Sequence, residues 1–204
     1  EVHCSRERSR AAWRIIDTYL HPFLHRAKYQ LPTHCRLHPS NDIFREQEEH
    51  KIHFDINEWR CGYCKKSFVK EEYLEQHFDN RHYNLLNVSH GKCLADLCGA
   101  LHCDYVLNSQ SRKTKCNPLA ASRNLHLCEE IADNCFPLST RSPVATHLHE
   151  FFLRQFCDAH NCSRKRKYFP RGGQKGSNIL YVATSIMILI LLPVFYTLVY
   201  LYKR

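Results

Sequence analysis

The spacing of four cysteine and histidine residues in the middle of the chain constrains the fold more than any other feature. Cys61 and Cys64 are separated by two residues, twelve residues follow, and His77 and His82 are separated by four. Two thiolates on a tight turn and two imidazoles on one side of a helix form a tetrahedral ligand set for zinc. So short a segment buries too little apolar surface to fold alone, and zinc supplies about 10 kcal/mol or more in such peptides. We therefore predict a Zn²⁺ site at these four residues.

The apolar residues around the four ligands follow a regular plan. Trp59 lies two residues before the first cysteine, Phe68 lies four after the second, and Leu74 lies three before His77. With these positions, residues 59–83 resemble a C2H2 zinc finger. The resemblance implies a ββα unit with zinc at its centre, in which the three apolar side chains cover the metal.

The same stretch supports a second hypothesis, a redox enzyme. Cys61-Gly62-Tyr63-Cys64 resembles the Cys-x-x-Cys site of thiol-disulfide oxidoreductases, in which the first thiolate attacks disulfides from the start of a helix. That fold needs βαβ units around the motif, whereas the sequence after His82 is rich in cysteine without a strand–helix alternation. The redox hypothesis also leaves both histidines without a role.

A third hypothesis is nucleic-acid recognition. If the segment is aligned as a finger, the positions that would read bases are Lys70, Glu72, Tyr73 and Gln76. The helix predicted from Lys70 to Arg81 carries four acidic residues against two basic ones, which repels phosphate. One finger reads only about three base pairs, and the sequence has no second finger. The sequence therefore disfavours a nucleic-acid partner.

The cysteine count indicates the compartment. Twelve cysteines are present, and ten remain when two are assigned to zinc, enough for five disulfides. Proteins with so many disulfides are typical of the secretory pathway and the extracellular space. Cys4 and Cys35 flank the first predicted helical region, so we expect them to pair. Sequons at Asn87 and Asn161 predict a glycoprotein.

Two further groups of histidine and cysteine allow a metal as an alternative to structural roles. Cys93, Cys98 and Cys103 are expected to form disulfides, with a second metal site that includes His102 as the alternative. Residues 34–38 contain another His/Cys trio, for which we expect no metal.

Hydrophobic periodicity predicts a small, cysteine-rich, mixed α+β fold, in which the ββα unit is embedded in a mainly helical domain. Helices are predicted from Ser5 to Leu20, from Asn41 to His50, near 120–131 and from Ser142 onward, and a half-buried strand at 51–56. The helix that starts at Ser142 carries an apolar stripe that we expect in the core. The predicted regions are an N-terminal helical region at 1–58, the finger at 59–83, a cysteine-rich helical region at 84–163, a basic juxtamembrane linker at 164–178 and a transmembrane helix at 179–202.

The C-terminal apolar segment predicts a single membrane span. Residues 179–202 are 24 uncharged residues, which as a helix extend roughly 36 Å, enough to cross a bilayer core of about 30 Å. Pro193 is expected to kink this helix, which membranes tolerate. The lipid bilayer is thus one expected partner.

Two signals disagree about orientation. Six basic residues precede the span and two follow it, which alone keeps the N-terminal domain in the cytosol, as in a tail-anchored protein. The cysteine content, together with a first residue Glu1 that fits removal of a signal peptide, favours a type I protein with a luminal domain. An oxidising lumen would also favour a disulfide between Cys61 and Cys64 as the alternative to zinc.

Taken together, the chain resembles a little-characterised family of membrane-anchored C2H2-type proteins. The resemblance implies the zinc ligands Cys61, Cys64, His77 and His82, and no activity. We expect a single-pass membrane protein in which the finger is a structural or protein-interaction module. The sequence predicts no catalytic residue and names no protein partner.

Overall fold

The computed structural model describes residues 4–86, 92–107, 116–140, 142–162, 168–170 and 179–203. The chain divides into two units, 1–171 and 172–204. In the described part of the first unit, the helices are α1 (Arg6–Tyr19), α2 (His21–Ala27), α3 (Arg45–Glu49), α4 (Glu71–Arg81), α5 (Asp104–Leu107), α6 (Pro118–Cys135) and α7 (Pro143–Phe152). The strands are β1 (Lys51–Asp55), β2 (Glu58–Cys61) and β3 (Ser67–Phe68), and helix α8 (Ile179–Lys203) belongs to the second unit. The helix-rich α+β character is thus as the sequence predicts.

Helix α1 begins and ends where the sequence indicates. The Ser5 side chain accepts a hydrogen bond from the Arg8 backbone N–H, an N-cap that satisfies one of the free donors of the first turn. One face buries Ile15 and Ile16 completely, and the helix ends just before His21-Pro22. This helix forms one wall of the core.

The main core lies among α1, α6 and α7. Ser142 caps α7 and Pro143 occupies its first position, as the sequence predicts. A π-helical turn at Leu153–Cys157 continues α7. The expected apolar stripe is confirmed as core by the buried side chains Leu148, Phe151, Phe152 and Phe156.

Five disulfides use ten of the twelve cysteines, all of which lie in the described part of the chain. The pairs are Cys4–Cys93, Cys35–Cys135, Cys98–Cys103, Cys116–Cys162 and Cys128–Cys157. The prediction of a Cys4–Cys35 bridge is wrong. Helix α1 has 14 residues and carries the chain about 20 Å from Cys4 before the loop with Cys35 begins.

The disulfides also show whether the two other His/Cys groups have free thiols for a metal. Cys93, Cys98 and Cys103 are all paired, so the expectation of disulfides holds and the alternative metal site is wrong. Cys35 is paired as well, which leaves the trio at 34–38 without its thiolate.

Two predictions for the segment before β2 need correction. Helix α3 starts at Arg45 rather than at Asn41, because Asp42 accepts hydrogen bonds from Trp13 Nε1 at 2.6 Å and from the Phe44 N–H. Strand β1 forms at Lys51–Asp55, but it is not half-buried: Ile52 and Phe54 are 39% and 59% exposed, and His53 and Asp55 on the other face are exposed too. The Lys51 side chain contacts Glu71 and Glu75 of α4, and the His53 ring stacks on Trp59 of β2.

Several predictions fall on residues outside the described ones, among them the sequon at Asn87 and most of the predicted basic linker. Within 164–178, the structure describes Tyr168–Pro170. Phe169 is buried and its ring stacks on Tyr19 with centroids 4.2 Å apart, so this point of the predicted linker packs onto the core.

The second unit contains the apolar helix α8. Its stretch Thr184–Lys203 has a mean hydropathy of 2.2 and is long and apolar enough to cross a membrane, by length and composition. The side chains along this stretch are exposed, unlike those of the core helix of a soluble protein. This agrees with the predicted span, and Pro193 lies within the helix as expected.

Candidate metal centre

Residues 58–81 form a hairpin followed by a helix. Strands β2 and β3 pair antiparallel, with Trp59 opposite Phe68. In the turn between them, the Cys61 N–H donates a hydrogen bond to the Lys66 carbonyl. Lys65 adopts a left-handed backbone conformation there, with a φ of 63°. Helix α4 follows directly after β3. This order, strand–turn–strand–helix, brings the two cysteines of the turn against His77 on α4 and His82 just after its end.

The four predicted ligands converge at one place. Their ligand atoms all lie within 4.8 Å of one another. The Cys64 Sγ is 3.2 Å from the His77 Nε2, and the Cys61 Sγ is 3.5 Å from the His82 Nε2. In a tetrahedral site with metal–ligand bonds of about 2.0–2.3 Å, neighbouring ligand atoms are spaced in this range. The cluster could therefore hold a metal ion.

A small separate core lies beneath the cluster. Cys61, Leu74 and Phe78 are buried, and the predicted core residues Trp59 and Phe68 pack against them half-buried, together with Tyr63. Burial raises the pKa of the Cys61 thiol and lowers the pKa of the His77 imidazole, because each charged form loses its hydration. Cys64, in contrast, is exposed to solvent.

Glu71 and Glu75 of α4 face the rest of the domain, whereas Glu72 and Asp79 are exposed. The Lys51 ammonium lies 3.0 Å from Glu71, 2.7 Å from Glu48 and also contacts Glu75. From α1, the Arg10 guanidinium contacts Glu71 and Glu75. The Lys51 side chain is only 4% exposed, so these ion pairs form a half-buried network that joins α4 to α1, α3 and β1.

Two ion pairs of Arg6 continue the network along α4. Arg6 reaches Asp79 at 2.9 Å and Glu48 at 3.4 Å. The hairpin and α4 are therefore integrated into the first unit. The positions that would read bases in a finger, Lys70, Glu72, Tyr73 and Gln76, are exposed.

Sequence reasoning missed three residues that support the cluster. Phe78 is fully buried beneath it, and its position four residues after Leu74 on α4 would have indicated this. Tyr63 is tilted against the His82 ring, with centroids 4.9 Å apart, and burial raises the pKa of its hydroxyl to about 12. Gln47 is fully buried on α3, and no pattern in the sequence indicates this, because acidic residues flank it on both sides.

The chain was compared with protein-family models, with curated proteins and with solved structures, and no match was found.

Proposed function

We propose that this is a single-pass membrane protein whose Cys61, Cys64, His77 and His82 bind Zn²⁺, and that the metal stabilises a folded module for protein interaction. One observation carries the proposal. Ten of twelve cysteines are in disulfides, and the two that remain free each have an imidazole nitrogen within 3.5 Å.

The donor set favours zinc in a structural role. Two thiolates and two imidazoles suit the borderline-soft Zn²⁺, whereas Mg²⁺ and Ca²⁺ prefer oxygen ligands. Four protein ligands complete a tetrahedral shell and leave no position for a reacting water, which is the mark of a structural site. The protein would supply the fold around the metal, and the metal would hold β2, β3 and α4 together.

The surroundings of the two thiols favour zinc over the oxidoreductase alternative. An attacking cysteine is accessible and lies at the start of a helix, where its pKa is lowered. Here Cys61 is fully buried at the end of β2, burial raises its pKa, and β3 rather than a helix follows Cys64.

Two features support an interaction role over nucleic-acid binding. The acidic residues of α4 remain unfavourable for phosphate, although most are partly compensated by Arg6, Arg10 and Lys51. Exposed apolar side chains lie on α4 and in the loops beside it: Ile56 is 86%, Val69 65% and Tyr73 49% exposed, and Ile56 and Val69 line one surface pocket. Exposed apolar side chains that lie close together are typical of protein-binding surfaces.

The disulfides support a luminal orientation. Five disulfides persist in an oxidising compartment, which favours a first unit on the luminal side with α8 as the anchor. Asn161 is exposed and starts a sequon, so glycosylation at this residue would mark a luminal domain. If the domain is luminal, glycosidase treatment shifts the mobility of the full chain, and Asn161→Gln reduces that shift. If a protease added outside intact microsomes digests the domain, the domain faces the cytosol and the tail-anchored alternative is correct.

Metal analysis tests the zinc proposal. The full chain is expressed in eukaryotic cells, purified in detergent without added metal, and analysed for zinc by mass spectrometry. We expect about one zinc per chain, as for one Cys2His2 site. Zinc should be lost in Cys64→Ser and in His77→Ala, and retained in His126→Ala, whose side chain is 76% exposed on α6. Equal zinc contents in all four proteins would refute the assignment.

A further inference from the structure

Helix α3 contacts the candidate metal centre from outside the hairpin and α4. Gln47 on α3 is fully buried, and its Nε2 donates a hydrogen bond to the His82 backbone carbonyl at 3.1 Å. Its Oε1 accepts from the Arg6 Nη2 at 2.7 Å. A buried amide is costly unless it is hydrogen-bonded, and both ends of this one are. The Gln47 side chain therefore has a fixed orientation toward the end of α4.

The bonded carbonyl belongs to the ligand that α4 holds least firmly. His82 follows the last helical residue, Arg81, and its φ of −127° and ψ of 23° are not helical. The carbonyls at a helix end have no partner within the helix, and helix ends fray. The hydrogen bond from Gln47 fixes the backbone of His82 and so restrains the position of its imidazole.

The residue after α3 contacts the other half of the ligand set. The His50 carbonyl accepts a hydrogen bond from the Gly62 N–H at 2.8 Å, between the two cysteines. The His50 ring stacks on Tyr63 at 4.1 Å, and Tyr63 in turn contacts His82. A Cβ at Gly62 would lie 2.8 Å from the His50 carbonyl oxygen, so this position requires glycine for close approach rather than for redox chemistry.

From these contacts we propose that Gln47 is a positioning residue of the metal centre and that α3 with His50 clamps it from outside. The proposal rests on the proposed zinc site. Gln47 restrains His82, and His50 restrains the turn with Cys61 and Cys64, so zinc retention depends on residues that lie before the ligand segment. Loss of such outer-shell contacts typically weakens metal binding by about 10–100-fold.

Zinc dissociation from the full chain in detergent micelles tests the clamp. Release into an excess of a chromogenic chelator is followed for the wild-type protein, Gln47→Glu, Gln47→Met and Gly62→Ala. Gln47→Glu keeps the acceptor for Arg6 but replaces the donor to His82 with an oxygen. The matched control is Glu49→Gln, the reverse exchange on the same helix, at a side chain that is 58% exposed and paired with Arg45. We expect zinc release to be about tenfold faster or more in Gln47→Glu, Gln47→Met and Gly62→Ala than in the wild type. The control should match the wild-type rate.

A second readout separates positioning from a merely structural role. Thermal midpoints are measured with and without zinc, because a bound metal raises the midpoint according to its affinity. If Gln47 is merely structural, its substitution lowers the midpoints with and without zinc equally. If Gln47 positions the metal centre, its substitution narrows the difference between the two midpoints. Unchanged release rates in all three variants, or equal shifts of both midpoints, would overturn the clamp. A wild-type protein without zinc would instead refute the proposed site itself.

Discussion

Two stacked histidines in the disulfide-rich core are predicted to make the domain less stable in acid. The rings of His102 and His160 lie 4.0 Å apart, and the rings of Tyr168 and Phe169 pack against His102. The Nε2 of His102 is 2.8 Å from the Phe156 carbonyl, so it carries the proton and the other ring nitrogen is left to titrate. Burial, with a smaller effect of His160, lowers the pKa of His102 from 6.5 to about 4. Burial also lowers the pKa of His160.

The magnitude follows from the pKa of His102. Between the ordinary pKa of 6.5 and about 4, the folded domain binds fewer protons than the unfolded chain. Its stability is therefore fully present above this window and falls as the pH falls through it. With about 1.4 kcal/mol for each pKa unit, the loss from about pH 7 to about pH 5 is about 2 kcal/mol from His102 alone.

Urea unfolding of the full chain in detergent, with disulfides intact, measures this loss. His102 has a φ of 57°, which asparagine tolerates, so His102→Asn removes the titrating group with little backbone strain. The control is His126→Asn, at an exposed histidine. All three proteins share every other ionisable group, including the carboxylates and the Cys/His cluster, so the contributions of these groups cancel. We expect the wild type and the control to lose about 2 kcal/mol more than His102→Asn between the two pH values. Equal losses would refute the reasoning.

Two further perturbations test the packing of the first unit. The double substitution Cys128→Ser/Cys157→Ser opens a bridge that spans 29 residues, and we expect calorimetry to show a loss of about 3–4 kcal/mol. A change below about 1 kcal/mol would contradict the role of this bridge. Lys51→Met removes the cation between three carboxylates, and we expect urea unfolding to show a loss of about 2–3 kcal/mol, reduced by the partial exposure of the carboxylates. The exposed Lys66→Met is the control, and equal stability of the two variants would contradict the network.

The convergence of the Cys/His cluster was predictable because its signal is local. The four residues fall within 61–82, and a turn followed by one helix is enough to bring them together. The same holds for α1 and α7, which are capped by Ser5 and Ser142. In each case, a few neighbouring residues determine the geometry.

The disulfide pairing and the exposure of β1 could not be predicted, because they depend on contacts between distant segments. The bridges Cys4–Cys93 and Cys35–Cys135 join residues 89 and 100 positions apart, and only the packing of the helices brings these cysteines together. The exposure of β1 has the same origin. Alternation predicts one buried face, but here only the Lys51 side chain is covered, through its ion pairs with Glu71 and Glu75 on α4.

X-ray absorption at the zinc edge tests the central claim most directly. Measured on the full chain purified without added metal, the spectrum should fit two sulfur ligands at about 2.3 Å and two nitrogen ligands at about 2.0–2.1 Å. His82→Ala, like His77→Ala, should lose the zinc and with it this spectrum. A shell of oxygen and nitrogen alone, or a Cys61–Cys64 disulfide in peptide mass spectra of the same preparation, would contradict the zinc site.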